Sequence, residues 1–340
     1  MARVSIVTAA YNAEREIGLL LSTLARSEFK DFEFCCCDDG STDRTSARVE
    51  DFRATFPVRL ARHERNLGVT AARNEALALA RAPLLVFLDA DVVVEPDTLG
   101  RLVASLESSK ADVVCGIYGP RPLGGGLLSR FYALFAHHSF LGAGGPYNVF
   151  NGWCAIARRE VFDRLGGHRV VDKGVEIENE ALGRRIVAAG YSLILDTEIG
   201  LAHAPRGPRK LAFIFTSRVY WWVKVFFADG GRFESALTTP GYAAGTVCAP
   251  AALVCLALAP FGPWWGAAAC ASAAGFLWAY GPFLAFALRT EGAGFAALCA
   301  GLSFFWALPA SAAAVFSGSE EVVRLALGRG ATLGSAHFEP

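Results

Sequence analysis

The chain has 340 residues, room for one large domain or two average ones. Its 32 basic and 32 acidic side chains cancel to a formal net charge of zero, so the overall charge argues nothing about nucleic acid. That zero averages two unlike parts, because from Tyr242 to Phe316 the only charged residues are Arg289 and Glu291. The nine cysteines show no metal-ligand spacing and read as reduced and buried.

The first strand is Val4-Ser5-Ile6-Val7-Thr8-Ala9-Ala10, running into the polar Tyr11-Asn12. A helix follows from about Asn12, a candidate N-cap, with Ile17, Leu20, Leu21 and Leu24 at helical spacing. Phe32–Cys37 is a second strand, ending in Asp38-Asp39-Gly40-Ser41-Thr42-Asp43. A helix over about 43–55, a short strand over 58–61 and a helix over 69–81 come next. Leu84–Leu88 is a central strand ending in Asp89-Ala90-Asp91, Pro96 opens a further helix, and 111–118 is another strand. The strands are short apolar runs, as expected where helices cover both faces of a largely parallel sheet. Glycine-rich stretches at 124–126 and 142–145 flank an apolar, aromatic segment and suggest a part that adapts. Beyond it, 153–158 reads as a strand, 159–165 as a short helix, 178–189 as a helix and 191–195 as a strand.

Each of the three leading strands delivers carboxylates or polar groups at its C-terminal end, where open α/β sheets bind ligands. Asp89 and Asp91, one residue apart at such an end, suit a hard divalent cation, and a cation there suits a phosphorylated ligand. After the first strand the chain reads Thr-Ala-Ala-Tyr-Asn, without the Gly-x-Gly-x-x-Gly of a dinucleotide-binding fold.

Four motifs stand in order: Tyr11-Asn12-Ala13-Glu14; Asp38-Asp39-Gly40-Ser41-Thr42-Asp43; Asn66-Leu67-Gly68 with Ala72-Arg73-Asn74; and Asp89-Ala90-Asp91. Together they resemble the family 2 glycosyltransferases of the GT-A fold, over roughly residues 1–205. The resemblance implies an α/β domain that binds a nucleoside-diphosphate sugar, with Mg²⁺ or Mn²⁺ held by Asp91 and Asp89 of the DXD motif. It implies a nucleotide site of Tyr11, Glu14, Asp38, Asp39, Arg73 and Asp89. Asp39, ahead of Asp38, is the expected partner of a base N–H; Tyr11 could stack on the ring; Arg73 is expected at the phosphates. Asn151-Gly152-Trp153-Cys154 resembles the family's acceptor-side segment, with Trp153 open to both a sugar-stacking and a core role. His203 is open to a metal, phosphate or structural role.

An inverting transfer needs a base for the acceptor hydroxyl. The family supplies a Glu-Asp at a helix start, where this chain has Glu178-Asn179-Glu180. Asn179 cannot take a proton at neutral pH. Three alternatives stand. Glu178, ahead of Glu180, acts as base; or the acceptor is a polyprenyl phosphate that needs none; or the protein binds sugar nucleotide without turnover. The Gln-x-x-Arg-Trp signature of processive synthases is not in the sequence, so transfer of one or a few sugars is expected.

Residues 208–229 mix Phe213, Phe215, Tyr220, Trp221, Trp222, Phe226 and Phe227 with Arg209, Lys210, Arg218 and Lys224. A helix in the headgroup region holds such charges at less cost than a spanning one. Apolar segments at 242–261, 264–288 and 293–316 approach or exceed the roughly 20 residues that cross a hydrocarbon core. The organisation expected is a cytosolic GT-A domain over 1–205, an interfacial amphipathic region over 206–241, about three membrane helices over 242–316 and a polar tail over 317–340. With no signal-like segment before the first strand, the expected location is the inner (plasma) membrane, catalytic domain cytoplasmic, with a lipid or lipid-linked acceptor and no nucleic-acid partner.

Overall fold

The computed structural model describes residues 2–169, 177–232 and 239–333. In chain order its elements are β1 (Val4–Ala10), α1 (Glu14–Ala25), β2 (Phe32–Asp38), α2 (Thr45–Glu50), β3 (Val58–Arg62), α3 (Val69–Leu79), β4 (Leu84–Leu88), β5 (Val92–Val93), α4 (Thr98–Ser109), β6 (Val113–Tyr118) and α5 (Leu127–Leu141). Then come β7 (Gly145–Pro146), β8 (Cys154–Arg158), α6 (Arg159–Leu165), α7 (Glu178–Ala188), β9 (Leu193–His203), α8 (Pro208–Phe213), α9 (Val219–Ala228), α10 (Pro240–Leu258), α11 (Pro263–Glu291) and α12 (Ala293–Ala326). A π-helical turn, Ile214–Arg218, joins α8 to α9. The chain forms two compact units: Met1–Gly124 with Ala143–Pro205, and Gly125–Gly142 with Arg206–His337.

The first unit is built on one sheet in the order β3-β2-β1-β4-β8-β6-β9-β5, with β7 beside β9. β3, β2, β1 and β4 are mutually parallel, in keeping with the largely apolar, buried runs of β1, β2 and β4. Antiparallel β8 then separates β4 from β6, and β6 pairs in parallel with β9, so the whole sheet is mixed. The central strands are buried end to end: every residue of β2 and of β4 is inaccessible. Because β1 lies between β2 and β4 and runs parallel to both, Asp39 and the Asp89–Asp91 pair emerge at the same edge.

Three local expectations change. Asn12 does not cap α1. It adopts a left-handed backbone (φ 45°), the helix starts at Glu14, and the Asn12 side chain instead accepts the Thr42 N–H at 2.8 Å. α2 stops at Glu50 rather than near 55, and turns carry the chain on to Pro57, whose ring disfavours helix in the residue before it. β9 reaches His203, well beyond the apolar run that marked it, because residues 200–203 find partners in β6 and β5 that the run alone does not reveal.

Among the described residues of the second unit, four helices are long and apolar enough to cross a membrane: Pro208–Ala228, Pro240–Phe261, Pro263–Glu291 and Ala293–Ala326. Residues 317–326 continue α12, and 334–340 of the expected tail lie outside the described residues. α10 and α11 run antiparallel, with Tyr242 against Tyr280 at a 5.3 Å ring separation and an added Gly275 Cβ 3.0 Å from Cys248 Sγ. Phe276 meets Phe304 at 5.3 Å, which turns α12 antiparallel to α11. Phe215 stacks on Trp306, and Lys224 reaches Glu320 at 2.7 Å and Glu321 at 2.9 Å. The segment 208–228 therefore runs alongside α12 in the same sense. Lys224 and Glu321 are almost completely buried, at 1% and 0% exposure, so one of the two central charges that make this segment costly to immerse is internally neutralised.

Candidate functional site

At the end of β2 the two adjacent aspartates do different things. Asp38 is fully buried and serves the turn: its Oδ1 accepts the Ser41 N–H at 2.9 Å and its Oδ2 the Ser46 hydroxyl. Asp39 reaches across to the loop before α3. Its Oδ1 accepts the Leu67 N–H at 2.8 Å and lies 2.7 Å from His63 Nδ1, while Oδ2 accepts the Gly68 N–H at 2.8 Å. Gly68 takes a positive φ of 103°, a conformation that costs glycine little. The Asn66-Leu67-Gly68 motif thus supplies backbone donors that hold a carboxylate, a role its residue types alone do not announce. His63, at the end of β3, was missed in the sequence. Its signal is its place one residue beyond Arg62, which pairs in register with Asp38.

Tyr11 stands just past β1 with 49% of its surface exposed, beside this edge. Glu14 braces the same rim. Its carboxylate accepts the Arg44 N–H at 3.3 Å, and its own N–H donates to Asp43 at 3.1 Å.

Arg73 does not lie open to solvent. It is buried on α3, donates from Nη2 to Asp89 Oδ1 at 2.7 Å, and has no hydrogen-bond partner for Nη1 among the described residues. Its guanidinium packs against Gly152, where an added Cβ would fall 2.9 Å from Cζ. Burial works against the Arg73 charge, but Asp89 and then Glu178 more than offset it and hold its pKa above the ordinary arginine value.

Asp91 Oδ2 lies 3.1 Å from His203 Nε2, and β5 pairs with the end of β9 to bring them together. The His203 ring meets Tyr118 edge-on at 5.3 Å, and Tyr118 stacks flat on Trp153 at 4.5 Å. Trp153 is therefore buried, with one ring face covered by Tyr118. Asn151 is fully buried as well, its side-chain amide donating to the Gly116 carbonyl at 2.8 Å. The structure brings these two residues into the core behind Arg73 and Asp91 rather than to an outer surface.

At the start of α7, Asn179 is buried, its Oδ1 has no hydrogen-bond partner among the described residues, and its backbone carbonyl accepts the Phe150 N–H at 2.9 Å. The charge of Glu178 acts on Arg73, and that of Glu180 on Tyr147.

No ligand is needed to judge whether a cation suits this edge. Asp89 and Asp91 offer half-exposed carboxylate oxygens and His203 an imidazole nitrogen, donors that suit Mg²⁺ or Mn²⁺. Among the described residues no three His, Cys, Asp or Glu side chains close on one point, so a cation here would complete its shell with other oxygens.

The Glycosyl transferase family 2 model matches residues 5–166. The chain carries a family 2 glycosyltransferase domain. Over 120 residues it is 34% identical to the uncharacterized glycosyltransferase YfnE of Bacillus subtilis (strain 168), covering 35% of this chain and 31% of that protein. Over 115 residues it is 30% identical to the UDP-Glc:alpha-D-GlcNAc-diphosphoundecaprenol beta-1,3-glucosyltransferase WfgD of Escherichia coli, covering 34% of this chain and 45% of WfgD. These matches span less than half of either relative. The fold is shared with the mannosyltransferase PcManGT of Pyrobaculum calidifontis, solved with GDP-Man and Mn²⁺, at TM-score 0.58 and 21% identity over 94% of this chain and 87% of that one. The mixed sheet with flanking helices is the GT-A architecture, followed in this family 2 chain by apolar helices.

Proposed function

We propose that this chain is an inverting, metal-dependent glycosyltransferase that moves a sugar from a nucleoside-diphosphate sugar to a lipid or lipid-linked acceptor at a membrane. The observation that carries this reading is the meeting of Asp39, Arg73, Asp89 and Asp91 at one edge of the sheet. In it, Asp39 receives the base, Tyr11 covers the ring, Arg73 offers Nη1 to a phosphate oxygen, and Asp91 with Asp89 holds Mg²⁺ or Mn²⁺. The cation supplies Lewis-acid stabilisation of the charge that develops on the leaving diphosphate. Arg73 orients Asp89. Glu178, ahead of Glu180, takes the acceptor proton.

The apolar helices suit an acceptor that itself resides in the bilayer, and the name of WfgD states a diphosphoundecaprenol acceptor for that relative. The plasma membrane, with the glycosyltransferase unit on its cytoplasmic side, is the location this reading implies. One observation favours a second reading. Asn179 stands without a carboxylate where an acid is expected, which fits a polyprenyl phosphate acceptor already ionised and needing no base.

The test is turnover by purified full-length protein in detergent. Nucleoside diphosphate release is followed with Mn²⁺, a panel of nucleotide sugars, and polyprenyl phosphate or a polyprenyl diphosphate-linked sugar. Release that depends on acceptor, and disappears in Asp91→Asn, supports the proposal. Nucleotide-sugar binding without release under any pairing would leave a binding protein instead.

A further inference from the structure

Asn74 follows Arg73 on α3 and turns its amide to the backbone of a single distant residue. Its Oδ1 accepts the His168 N–H at 2.8 Å, and its Nδ2 donates to the His168 carbonyl at 2.7 Å. A flipped amide would set donor against donor and acceptor against acceptor, so the pair fixes its orientation. The fit is close: a Cβ added at Gly167, which has a positive φ of 81°, would fall 2.7 Å from Asn74 Oδ1. Arg185 of α7 holds the same turn from the other side. It donates from Nη1 to the Gly167 carbonyl at 3.0 Å and from Nη2 to that of Leu165 at 2.5 Å. The turn 165–168 therefore joins α3 to α7.

The link continues through a side chain. The His168 ring is buried against Phe87, Phe162 and Phe150, and meets Phe150 edge-on at 5.9 Å. Burial first, and then the Arg73 and Arg185 charges, hold the His168 pKa well below its ordinary value, so the ring packs as a neutral aromatic. Phe150 donates its N–H to the Asn179 carbonyl at 2.9 Å, and its own carbonyl accepts the Gly152 N–H at 2.9 Å. Gly152 is the residue against which the Arg73 guanidinium rests. Two neighbours on α3 are thus tied to the start of α7, Arg73 through Gly152 and Asn74 through His168, and the two routes meet at Phe150.

We propose that Asn74 is a positioning residue: it sets where the start of α7, with Glu178 and Asn179, stands relative to Arg73 and Asp89. The inference rests on the reading of this edge as the transfer site, and adds to it a residue that acts only through others. Arg73 has its own supports in Asp89 and Gly152, so loss of the Asn74 amide leaves the nucleotide side in place. What shifts is α7, and a misplacement of about 1 Å near the reacting atoms can cost about 10²-fold.

The experiment compares the full-length wild type with Asn74→Ala and Asn74→Leu, in detergent with Mn²⁺. Leucine fills nearly the same space as asparagine and makes neither hydrogen bond. In both variants kcat for nucleoside diphosphate release should fall by about 10–100-fold, while the KM for nucleotide sugar and the calorimetric Kd of UDP or GDP stay within about twofold. Hydrogen–deuterium exchange gives a readout that needs no turnover. Peptides covering 163–168 and 178–188 should lose protection in the variants, while those of β1, β2 and β4 keep it. Wild-type kcat in folded Asn74→Leu, a loss of nucleotide affinity as large as the loss of kcat, or lost protection confined to 163–168 overturns the proposal and leaves the glycosyltransferase reading intact. Protection lost throughout the unit marks a general stability effect and also overturns it. Absence of turnover in the wild type with every donor and acceptor overturns the glycosyltransferase reading, and exchange in α7 still decides whether Asn74 holds that helix.

Discussion

Arg73 Nη2 donates to Asp89 Oδ1 at 2.7 Å while its guanidinium lies against Gly152, so one buried cation joins a DXD carboxylate to the Asn151–Trp153 segment. Gly152→Ala tests that link with a single methyl group. The new Cβ would stand 2.9 Å from Cζ and 3.0 Å from both terminal nitrogens, and the guanidinium must shift. A misplacement of about 1 Å at a reacting centre can cost about 10²-fold. Turnover in Gly152→Ala should fall by about 10–100-fold, with the melting temperature nearly kept. Wild-type kinetics in Gly152→Ala would show that the Arg73 position does not matter to the reaction.

The proposed metal dependence can be tested at the Asp91–His203 contact. Asp91→Asn should abolish Mn²⁺-stimulated turnover, since a Lewis acid supplies several kcal/mol of transition-state stabilisation. His203→Gln should raise the Mn²⁺ concentration for half-maximal activity by about 10–100-fold if the imidazole orients or ligates with Asp91. An unchanged Mn²⁺ titration in His203→Gln would reduce that residue to packing on Tyr118.

The two glutamates of α7 make opposite predictions. If Glu178 is the base, Glu178→Gln should lower turnover by about 10²–10⁴-fold with nucleotide affinity little changed, while Glu180→Gln should cost less; the reverse order would make Glu180 the base. If the acceptor is a polyprenyl phosphate, neither change has that effect and the pH profile shows no essential base near neutrality. Turnover that appears only in Asn179→Asp would identify the natural protein as a binder.

Much of this site is legible in the sequence, for a physical reason. Leu84–Leu88 and Phe32–Cys37 are buried on both faces and read as apolar runs broken only by Glu33, so the aspartates that follow them are placed at strand ends without a structure. What is not legible depends on pairing. His63 acquires meaning only when β3 lies beside β2. β9 is hidden by Asp196, Thr197 and Glu198, which interrupt its apolar run. Asn151 and Trp153 lie in a turn with no period to reveal which way they point. Lys224 finds its partners almost a hundred residues away, and so it reads in sequence as an uncompensated charge.

That partnership has a measurable consequence. Glu321 is fully buried between Lys224 and Thr332. Lys224→Met leaves the carboxylate without its cation and should destabilise the helical unit by about 3–5 kcal/mol. Adding Glu321→Gln should recover part of the loss. Thermal unfolding in detergent reads both, and an undiminished melting temperature in Lys224→Met would show the pair to be inert.

The direction of the helices sets a last prediction, on membrane topology. Phe215 against Trp306 and Lys224 against Glu320 align 208–228 with α12. Tyr242 against Tyr280 and Phe276 against Phe304 align α10 with α12 as well. The two segments therefore run in the same sense along α12. Phe215 meets Trp306 midway along the apolar run 293–316 of α12, so a segment 208–228 that keeps this contact crosses with α12 instead of lying flat in the headgroup region. Ala228 then follows Lys224 past the Glu320 end of α12, while Thr239 precedes Tyr242 at the Tyr280 end of α11. Ala228→Cys and Thr239→Cys, probed in sealed vesicles with a membrane-impermeant maleimide, should therefore react from opposite sides. Labelling from the same side would mean that 208–228 lies in the interface and does not cross.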